Sequence, residues 1–233
     1  MPDDAIRLHP TVAEKPAPND IGWFGGRPRL PETLDWPRTR DGEPMLFACQ
    51  LDASALPDEA WEGLGPRSGW LAFFMSDGME AAVLHFAAPG EERLAPRGHP
   101  GVGAFTWDRN GWPGDDQSAA TWKRCGIRTS PAPRIALADK VDHQIGGPPK
   151  FFHDGAGPVF WSGYKTVDEN MRAWWPKIEP PFDKGDNLLL LQLASDRRPN
   201  WIWGDMGAIY FIIAQEDLAI DRFDRVALWA ESR

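Results

Sequence analysis

Apolar residues gather in short, uninterrupted runs along this chain, and glycine, proline or charged residues separate the runs. Runs of this length, rich in branched and aromatic residues, are typical of buried strands. The pattern predicts strands over residues 45–51, 70–75, 81–86, 187–193 and 208–214. An Asp-Gly pair separates the second run from the third and is a hairpin signal, so we expect these strands to pair antiparallel.

Helical patterns are few and short. Residues 56–64 and 167–175 have helical composition, and 215–218 reads as a single helical turn. Residues 223–229 alternate between apolar and polar and predict a closing strand with one solvated face. Glycine and proline number 23 each, which favours many turns and short elements over long helices. The pattern as a whole predicts a β-rich α+β protein, mainly antiparallel, with a few short helices.

The chain of 233 residues is long enough to bury a substantial core. Residues 1–20 are polar and contain several prolines, so we expect a loosely ordered lead-in, followed by a single domain over 21–233. The domain begins with a loop rich in glycine and proline. Trp23 and Trp36 are expected to anchor this loop, and a glycine pair within it permits positive φ angles.

Two of the apolar strand pairs follow one plan. An apolar strand ends in Gln-Leu at Gln50 and again at Gln192, and a glycine opens a second apolar strand further on. The plan predicts an internal pseudo-duplication, with repeats at about 44–87 and 186–229. Under a functional interpretation, the two glutamines face each other across a shared cleft. Under a structural interpretation, each buried amide hydrogen-bonds to local backbone groups.

Charge and cysteine content narrow the classes of function. The chain has 25 basic and 34 acidic residues, a net charge of −9, which is unsuited to non-specific nucleic-acid binding and compatible with a basic protein partner. Cys49 and Cys125 form neither a zinc pattern nor a disulfide framework, and we expect no metal and no cofactor. The longest unbroken apolar run, 208–214, is too short to span a membrane. We therefore expect a cytoplasmic monomer.

Several segments together resemble a known family. These are Gly25-Gly26-x-Pro28-x-Leu30-Pro31, Trp36-Pro37, Pro44-Met45-x-Phe47-x-x-Gln50-Leu51, Leu190-Leu191-Gln192-Leu193 and Trp203-Gly204-Asp205-x-Gly207. The combination resembles the DUF1963, or YwqG-like, family of bacterial proteins over nearly the whole chain after residue 21. The resemblance implies a roll-like β fold with a few helices and no established activity. Some members lie near secreted-toxin loci, so the resemblance also implies that an immunity-type role is conceivable.

The same resemblance extends to a central loop. His143-Gln144-x-x-Gly147 is similar to the His-Gln-Leu-Leu-Gly-Tyr-Pro motif of the family, but here the tyrosine is missing and the glycine is offset. Standard catalytic patterns such as a nucleophile elbow, HExxH or a P-loop do not occur in the sequence. His143 and Asp205 could form an acid–base pair if their loops converge. The Trp-Gly-Asp segment that contains Asp205 can also be a purely structural turn.

The leading expectation is a non-enzymatic module that binds an unknown protein partner. Ten residues are candidates for its binding face: Trp23, Gly25, Gly26, Trp36, Gln50, His143, Gln144, Gln192, Trp203 and Asp205. One alternative is a hydrolase-like enzyme of unrecognised type that uses His143 with Asp205. Another is a carbohydrate-binding module, which would require some of the 13 tryptophans to be exposed as coplanar indoles along a groove.

Overall fold

In the computed structural model of the chain, residues 5–11, 17, 19–107, 121–131, 141–150 and 187–232 are described. Within these ranges the strands are β1 (Ile6–Thr11), β2 (Gly22–Phe24), β3 (Leu46–Asp52), β4 (Trp70–Met75), β5 (Ala81–Phe86), β6 (Cys125–Pro131), β7 (Gln144–Ile145), β8 (Asn187–Ala194), β9 (Ala208–Ala214) and β10 (Ala227–Glu231). One helical turn, α1 (Gln215–Leu218), follows β9, and short 3₁₀ turns occur at Ala53–Ala55, Ala60–Gly63 and Gly103–Phe105.

The described strands form one sheet in the order β10-β9-β8-β7-β1-β6-β2-β3-β4-β5. Each neighbouring pair is antiparallel, and the sheet curls into a nearly closed, barrel-like roll. The predicted class, a mainly antiparallel β-rich roll with a few short helical segments, is confirmed. The five apolar runs form β3, β4, β5, β8 and β9, because each run has the length and composition of a buried strand.

The inside of the roll is one hydrophobic core to which both ends of the sheet contribute. Phe73 of β4 and Phe211 of β9 pack edge to face with ring centroids 5.3 Å apart. Trp61 is fully buried and donates its indole N–H to the Leu190 carbonyl oxygen at 2.9 Å, which ties the loop after β3 to β8. Two further buried clusters lie outside this core, one around Trp36 and the other around Tyr210.

The prediction that residues 1–20 form a loosely ordered lead-in is wrong for Ile6–Thr11, which form β1 in the middle of the sheet between β6 and β7. Pro10 is tolerated there for a local reason. Leu8 donates its backbone N–H to the His143 carbonyl oxygen on the β7 side of the strand. Backbone N–H groups alternate in direction along a strand, so the nitrogen of Pro10 faces the same side as that of Leu8. The last residue of β1 that pairs with β7 is Arg7, so no β7 residue lies opposite Pro10 to require an N–H donor.

A regular helix over 56–64 does not form either. The segment contains the 3₁₀ turn Ala60–Gly63, in which Trp61 and Glu62 have positive φ angles of 52° and 59°. Burial of the Trp61 indole in the core outweighs the local helical preference, because the backbone must turn to deliver that side chain. The helical turn at 215–218 is confirmed, whereas the closing strand begins at Ala227 rather than at residue 223. The predicted helix over 167–175 lies outside the described residues.

Candidate functional site

The glycine pair after β2 belongs to a tight loop that is fastened by Gln50. Gly25 and Gly26 have positive φ angles of 59° and 68°. Gly25 donates its backbone N–H to the Ala48 carbonyl oxygen at 2.8 Å. The fully buried Gln50 amide then accepts from the Arg29 backbone N–H at 2.9 Å and donates to the Arg29 carbonyl oxygen at 3.4 Å. The amide therefore satisfies the backbone of the loop that covers it.

A second glycine pair, after β7, is fastened in the same way by Gln192. Gly146 and Gly147 have positive φ angles of 61° and 64°. The fully buried Gln192 amide accepts from the Lys150 backbone N–H at 2.9 Å and donates to the Asp142 carbonyl oxygen at 2.8 Å. Gln144 lies directly opposite Gln192, and its amide donates to the carbonyl oxygens of Gly146 and Pro148. These contacts agree with the structural interpretation of the glutamines.

The ten predicted residues do not form one face. Gln50 lies opposite Trp23, and both side chains are on the outer side of the sheet half formed by β2 to β5, where Trp36 also packs. Gln192 lies opposite Tyr210 in the separate outer cluster of the second half. Trp203 belongs to the interior core instead. The two glutamines therefore point out of the roll at different places rather than across a shared cleft.

Asp205 is exposed in a turn, and its backbone N–H donates to the Ser232 hydroxyl at 2.8 Å. The carboxylate that pairs with His143 is that of Asp196. Within the described part of the chain, no hydrogen bond or ion pair joins Asp205 to His143, so the proposed pairing of those two residues is not observed. Sequence reasoning missed Asp196 because it lies in a turn between two strands, and its distance from His143 along the chain gives no local signal.

His143, Asp196 and Arg198 form a polar network that runs from the buried His143 at the edge of the interior core to the exposed Arg198. His143 is 3% exposed, and its ring packs against Phe24 and Trp201. The Ala194 backbone N–H donates to His143 Nδ1 at 3.1 Å, and Nε2 lies 3.1 Å from Asp196 Oδ2. These contacts assign the neutral tautomer that carries its proton on Nε2. Arg198 contacts the same carboxylate through its Nε and Nη2 atoms.

The electrostatics of this network follow from burial and hydrogen bonding. Burial lowers the pKa of His143, and the hydrogen bond to Asp196 offsets this only in part. Burial alone would raise the pKa of Asp196, but hydrogen bonds from His143 and Arg198 hold that pKa well below its usual range. At neutral pH the network therefore contains a neutral imidazole, a carboxylate and a guanidinium. Both ring nitrogens of His143 are already engaged, which leaves no free nitrogen for a substrate.

The two cysteines add no reactive centre to the described residues. Burial raises the pKa of both Cys49 and Cys125, so neither thiol forms a reactive thiolate at neutral pH. No group of three metal-ligating side chains occurs in the described portions of the chain. No helix among the described segments combines the length and the apolar character needed to cross a membrane.

Open cavities lie elsewhere, on either side of a hairpin at residues 37–45. The hairpin is closed by hydrogen bonds from Met45 N to Pro37 O and from Thr39 N to Glu43 O, both 2.9 Å. The first cavity, about 600 Å³, is lined by Thr39, Glu43, Pro44, Leu46, Ser76, Asp77, Pro100, Gly101, Gly103 and Phe105. None of the ten predicted residues lines this cavity. We name it the acidic cavity, because Glu43 and Asp77 are the charged residues in this lining.

The second cavity, about 660 Å³, lies between the two free edges of the sheet. Its walls are formed by Ala81 and Ala82 of β5 and by residues 226–228 at the start of β10, and Thr39 of the hairpin lines it as well as the acidic cavity. We name it the seam cavity. It also contains none of the ten predicted residues. Both cavities are lined by segments that are distant in the chain, which no local sequence motif reports.

These features define a class of protein, an antiparallel β-roll with two Gly-Gly loops, each fastened by a buried glutamine. The family model of a domain of unknown function, DUF1963, matches residues 23–95 and 106–231. The chain therefore belongs to the DUF1963 family. A comparison with curated proteins found no match.

Proposed function

We propose that this protein is a non-enzymatic binding module that holds a basic segment of a partner protein in the acidic cavity. The observation that carries the proposal is the lining of that cavity. Glu43 and Asp77 are both exposed, and no lysine or arginine is among the lining residues described. Thr39 and Ser76 add hydroxyl groups to the same wall.

The shape of the acidic cavity suits a long basic side chain. Leu46 and Phe105 supply apolar surface next to the carboxylates. Lysine and arginine carry an apolar stem below a charged head, so they can contact both kinds of surface at once. A net charge of −9 would also attract a basic partner over a longer range. This proposal refines the expected partner from an unspecified protein to one that presents an exposed Lys- or Arg-containing segment.

The two alternatives have less support. An enzyme would need a reactive group that a substrate can reach, and His143 is buried with both ring nitrogens engaged. A carbohydrate-binding platform would need exposed indoles, but seven tryptophans in the described segments are buried, namely Trp23, Trp36, Trp61, Trp122, Trp201, Trp203 and Trp229. Trp70 and Trp107 are only partly exposed, and the four at 112, 161, 174 and 175 lie outside the described residues.

The test is titration of the protein with a fluorescein-labelled peptide of alternating arginine and glycine. We expect binding that weakens as salt increases, and we expect Glu43→Gln with Asp77→Asn to weaken it by about ten-fold or more at low salt. Asp58→Asn with Glu59→Gln is the matched control, since it removes the same charge from exposed residues outside both cavities. Equal weakening by both double variants would show an effect of net charge alone and would contradict the proposed site.

A further inference from the structure

The two edge strands of the roll face each other across the seam cavity. In the part of the chain that the structure describes, β5 pairs only with β4 and β10 pairs only with β9. Ala81 and Ala82 line one wall of the cavity, and Ala227 and Leu228 line the other. Each wall therefore includes strand backbone whose outer N–H and C=O groups have no partner strand among those residues.

The seam is pinned at one end and open at the other. His85 near the end of β5 packs against Phe223, just before β10, with ring centroids 6.0 Å apart. The seam cavity lies at the opposite end, beside the start of β5 and the start of β10. A side-chain contact thus closes the seam near His85, and a cavity opens it near Ala81.

The hairpin register shows which backbone groups of β5 face the seam. Ser76 donates its backbone N–H to the Glu80 carbonyl oxygen at 2.9 Å, which makes these two a hydrogen-bonded pair. Bonded and non-bonded pairs alternate along an antiparallel ladder, so the next pair, Met75 with Ala81, is non-bonded. The backbone N–H and C=O of Ala81, and of Val83 two residues later, therefore point away from β4 and toward the gap.

The two edge strands themselves lack lysine and proline, and the charged residues that line the gap come from neighbouring segments: Arg38, Arg40, Asp41, Glu80, Asp224 and Arg225. Natural edge strands are protected by lysine, proline or bulges. Neither β5 (AAVLHF) nor β10 (ALWAE) contains a lysine or a proline. The irregularities in strand register lie instead in the interior strands, β3 and β8. A strand backbone whose outward N–H and C=O groups have no partner strand is complementary to another extended backbone.

We propose that the seam binds an extended segment of a partner protein, which adds to β5 as an antiparallel strand at Ala81 and Val83. The partner strand forms its antiparallel ladder of hydrogen bonds with β5 alone. Neighbouring strands of this sheet alternate in direction, so β5 and β10 run in opposite directions, and one inserted strand can be antiparallel to only one of them. The inference rests on the proposed function for the partner being a protein, and it concerns a different surface.

The test begins with random linear decapeptides displayed on phage and selected on the whole protein. The enriched peptide is synthesised with unmodified amides and with alternate amides N-methylated in either of the two registers. Strand addition predicts that methylation in one register abolishes binding and that methylation in the other is tolerated, because alternate N–H groups face β5. The amides of Ala81 and Val83 should exchange hydrogen more slowly when the unmodified peptide is bound.

Ala81→Pro removes the outward N–H and should weaken binding of that peptide by about ten-fold or more, since proline is tolerated on an edge strand. Ala81→Val keeps the N–H and is the matched control. The proposal is overturned if no peptide is enriched, if both methylation registers bind alike, or if the two amides exchange at unchanged rates. It is also overturned if the free protein is a dimer that Ala81→Pro converts to a monomer, since the occupant would then be a second copy.

The two proposals can fail separately. One outcome is that the Glu43→Gln, Asp77→Asn variant loses binding of the arginine–glycine peptide while Ala81→Pro binds the selected decapeptide as well as wild type does. This outcome would support the acidic cavity and reject the seam. The reverse result would keep strand addition and reject the acidic cavity as the site of recognition.

Discussion

The two halves of the sheet, β2 to β5 and β7 to β10, share one construction on either side of the central strands β6 and β1. In each half a short strand leads into a Gly-Gly loop, and a buried glutamine accepts from a backbone N–H at 2.9 Å, that of Arg29 in one half and that of Lys150 in the other. The pairing register shifts just before each glutamine. The internal duplication stays a prediction, and these matching contacts support it.

The halves differ at the residue just before the one that lies opposite the buried glutamine. Trp23 is opposite Gln50, and Gln144 is opposite Gln192, so Gly22 takes the place in the first half that His143 takes in the second. A Cβ at Gly22 would lie 2.0 Å from the Gln50 carbonyl oxygen. The second half instead has room for an imidazole, which Asp196 and Ala194 bind. The shared parts therefore hold the loops, and the polar network is an addition of one half.

The largest expected effect comes from placing a side chain at Gly22, the position equivalent to His143. Gly22→Ala should destabilise the fold by more than about 4 kcal/mol or prevent folding, because the added methyl collides with backbone that cannot move freely. Urea unfolding followed by tryptophan fluorescence measures the loss.

The matched control for this substitution is Gly42→Ala. Gly42 has a positive φ angle of 87° with open space around its Cβ position, so this change should lower stability by only about 1–2 kcal/mol, the cost of the backbone angle without a collision. A loss at Gly22 no greater than at Gly42 would show that the first half can accommodate a side chain, and the contrast between the halves would then be wrong.

A smaller effect tests whether the two amides are equivalent. Gln50→Leu and Gln192→Leu each leave buried loop backbone groups without a partner, so each should reduce the free energy of unfolding by about 2 kcal/mol. The two values should agree within about 1 kcal/mol if the loops are fastened alike. Guanidinium unfolding of both variants checks this, and a large loss in one with none in the other would break the proposed equivalence.

The smallest effect concerns the pH dependence of stability that arises from His143, which only one half of the sheet contains. Burial lowers the pKa of His143 from its ordinary value of 6.5, so below pH 6.5 the unfolded chain binds more protons than the folded one. Stability should therefore fall as the pH decreases through this range, by no more than about 1.4 kcal/mol per pH unit from this residue. Asp196, whose pKa is also lowered, adds a further loss only at more acidic pH, below its ordinary 3.8.

The pH effect is measured as the change in unfolding free energy between pH 7.5 and 5.5 in wild type and in His143→Gln. His9 and His99 also have lowered pKa values and remain in both proteins, so subtraction isolates His143. If the variant showed the same pH dependence as the wild type, His143 would not be the titrating group.

The hydrophobic pattern of the sequence located the five strands that consist largely of an apolar run. β4, β5 and β9 occupy the predicted positions, and β3 and β8 match theirs to within about one residue at each end. β1 was missed because Arg7, His9 and Pro10 make it look like a polar lead-in, although its alternation suits a strand with a different environment on each face. β7 has only two residues, Gln144–Ile145, too few for any periodicity to register.

The candidate site was less accessible to sequence reasoning. Sequence reasoning singled out glycines, tryptophans and glutamines, but their pattern cannot separate a binding face from a buried loop attachment. His143 was identified, whereas its partner Asp196 was not, because hydrogen bonding between residues 53 positions apart leaves no local periodicity. The acidic cavity and the seam cavity were missed altogether, since their walls come from segments that are distant in the chain.

The amino-acid sequence by itself determined the β-rich class, the antiparallel hairpin at β4 and β5 and the family resemblance, because these depend on short-range hydrophobic pattern and turn chemistry. Tertiary structure alone decided that β1 lies in the centre of the sheet, that His143 pairs with Asp196 and that β5 and β10 leave a gap between them. The physical reason is the range of the interactions. The alternation of side chains is set within one strand, whereas the curvature and the closure of the sheet depend on contacts among all the strands at once.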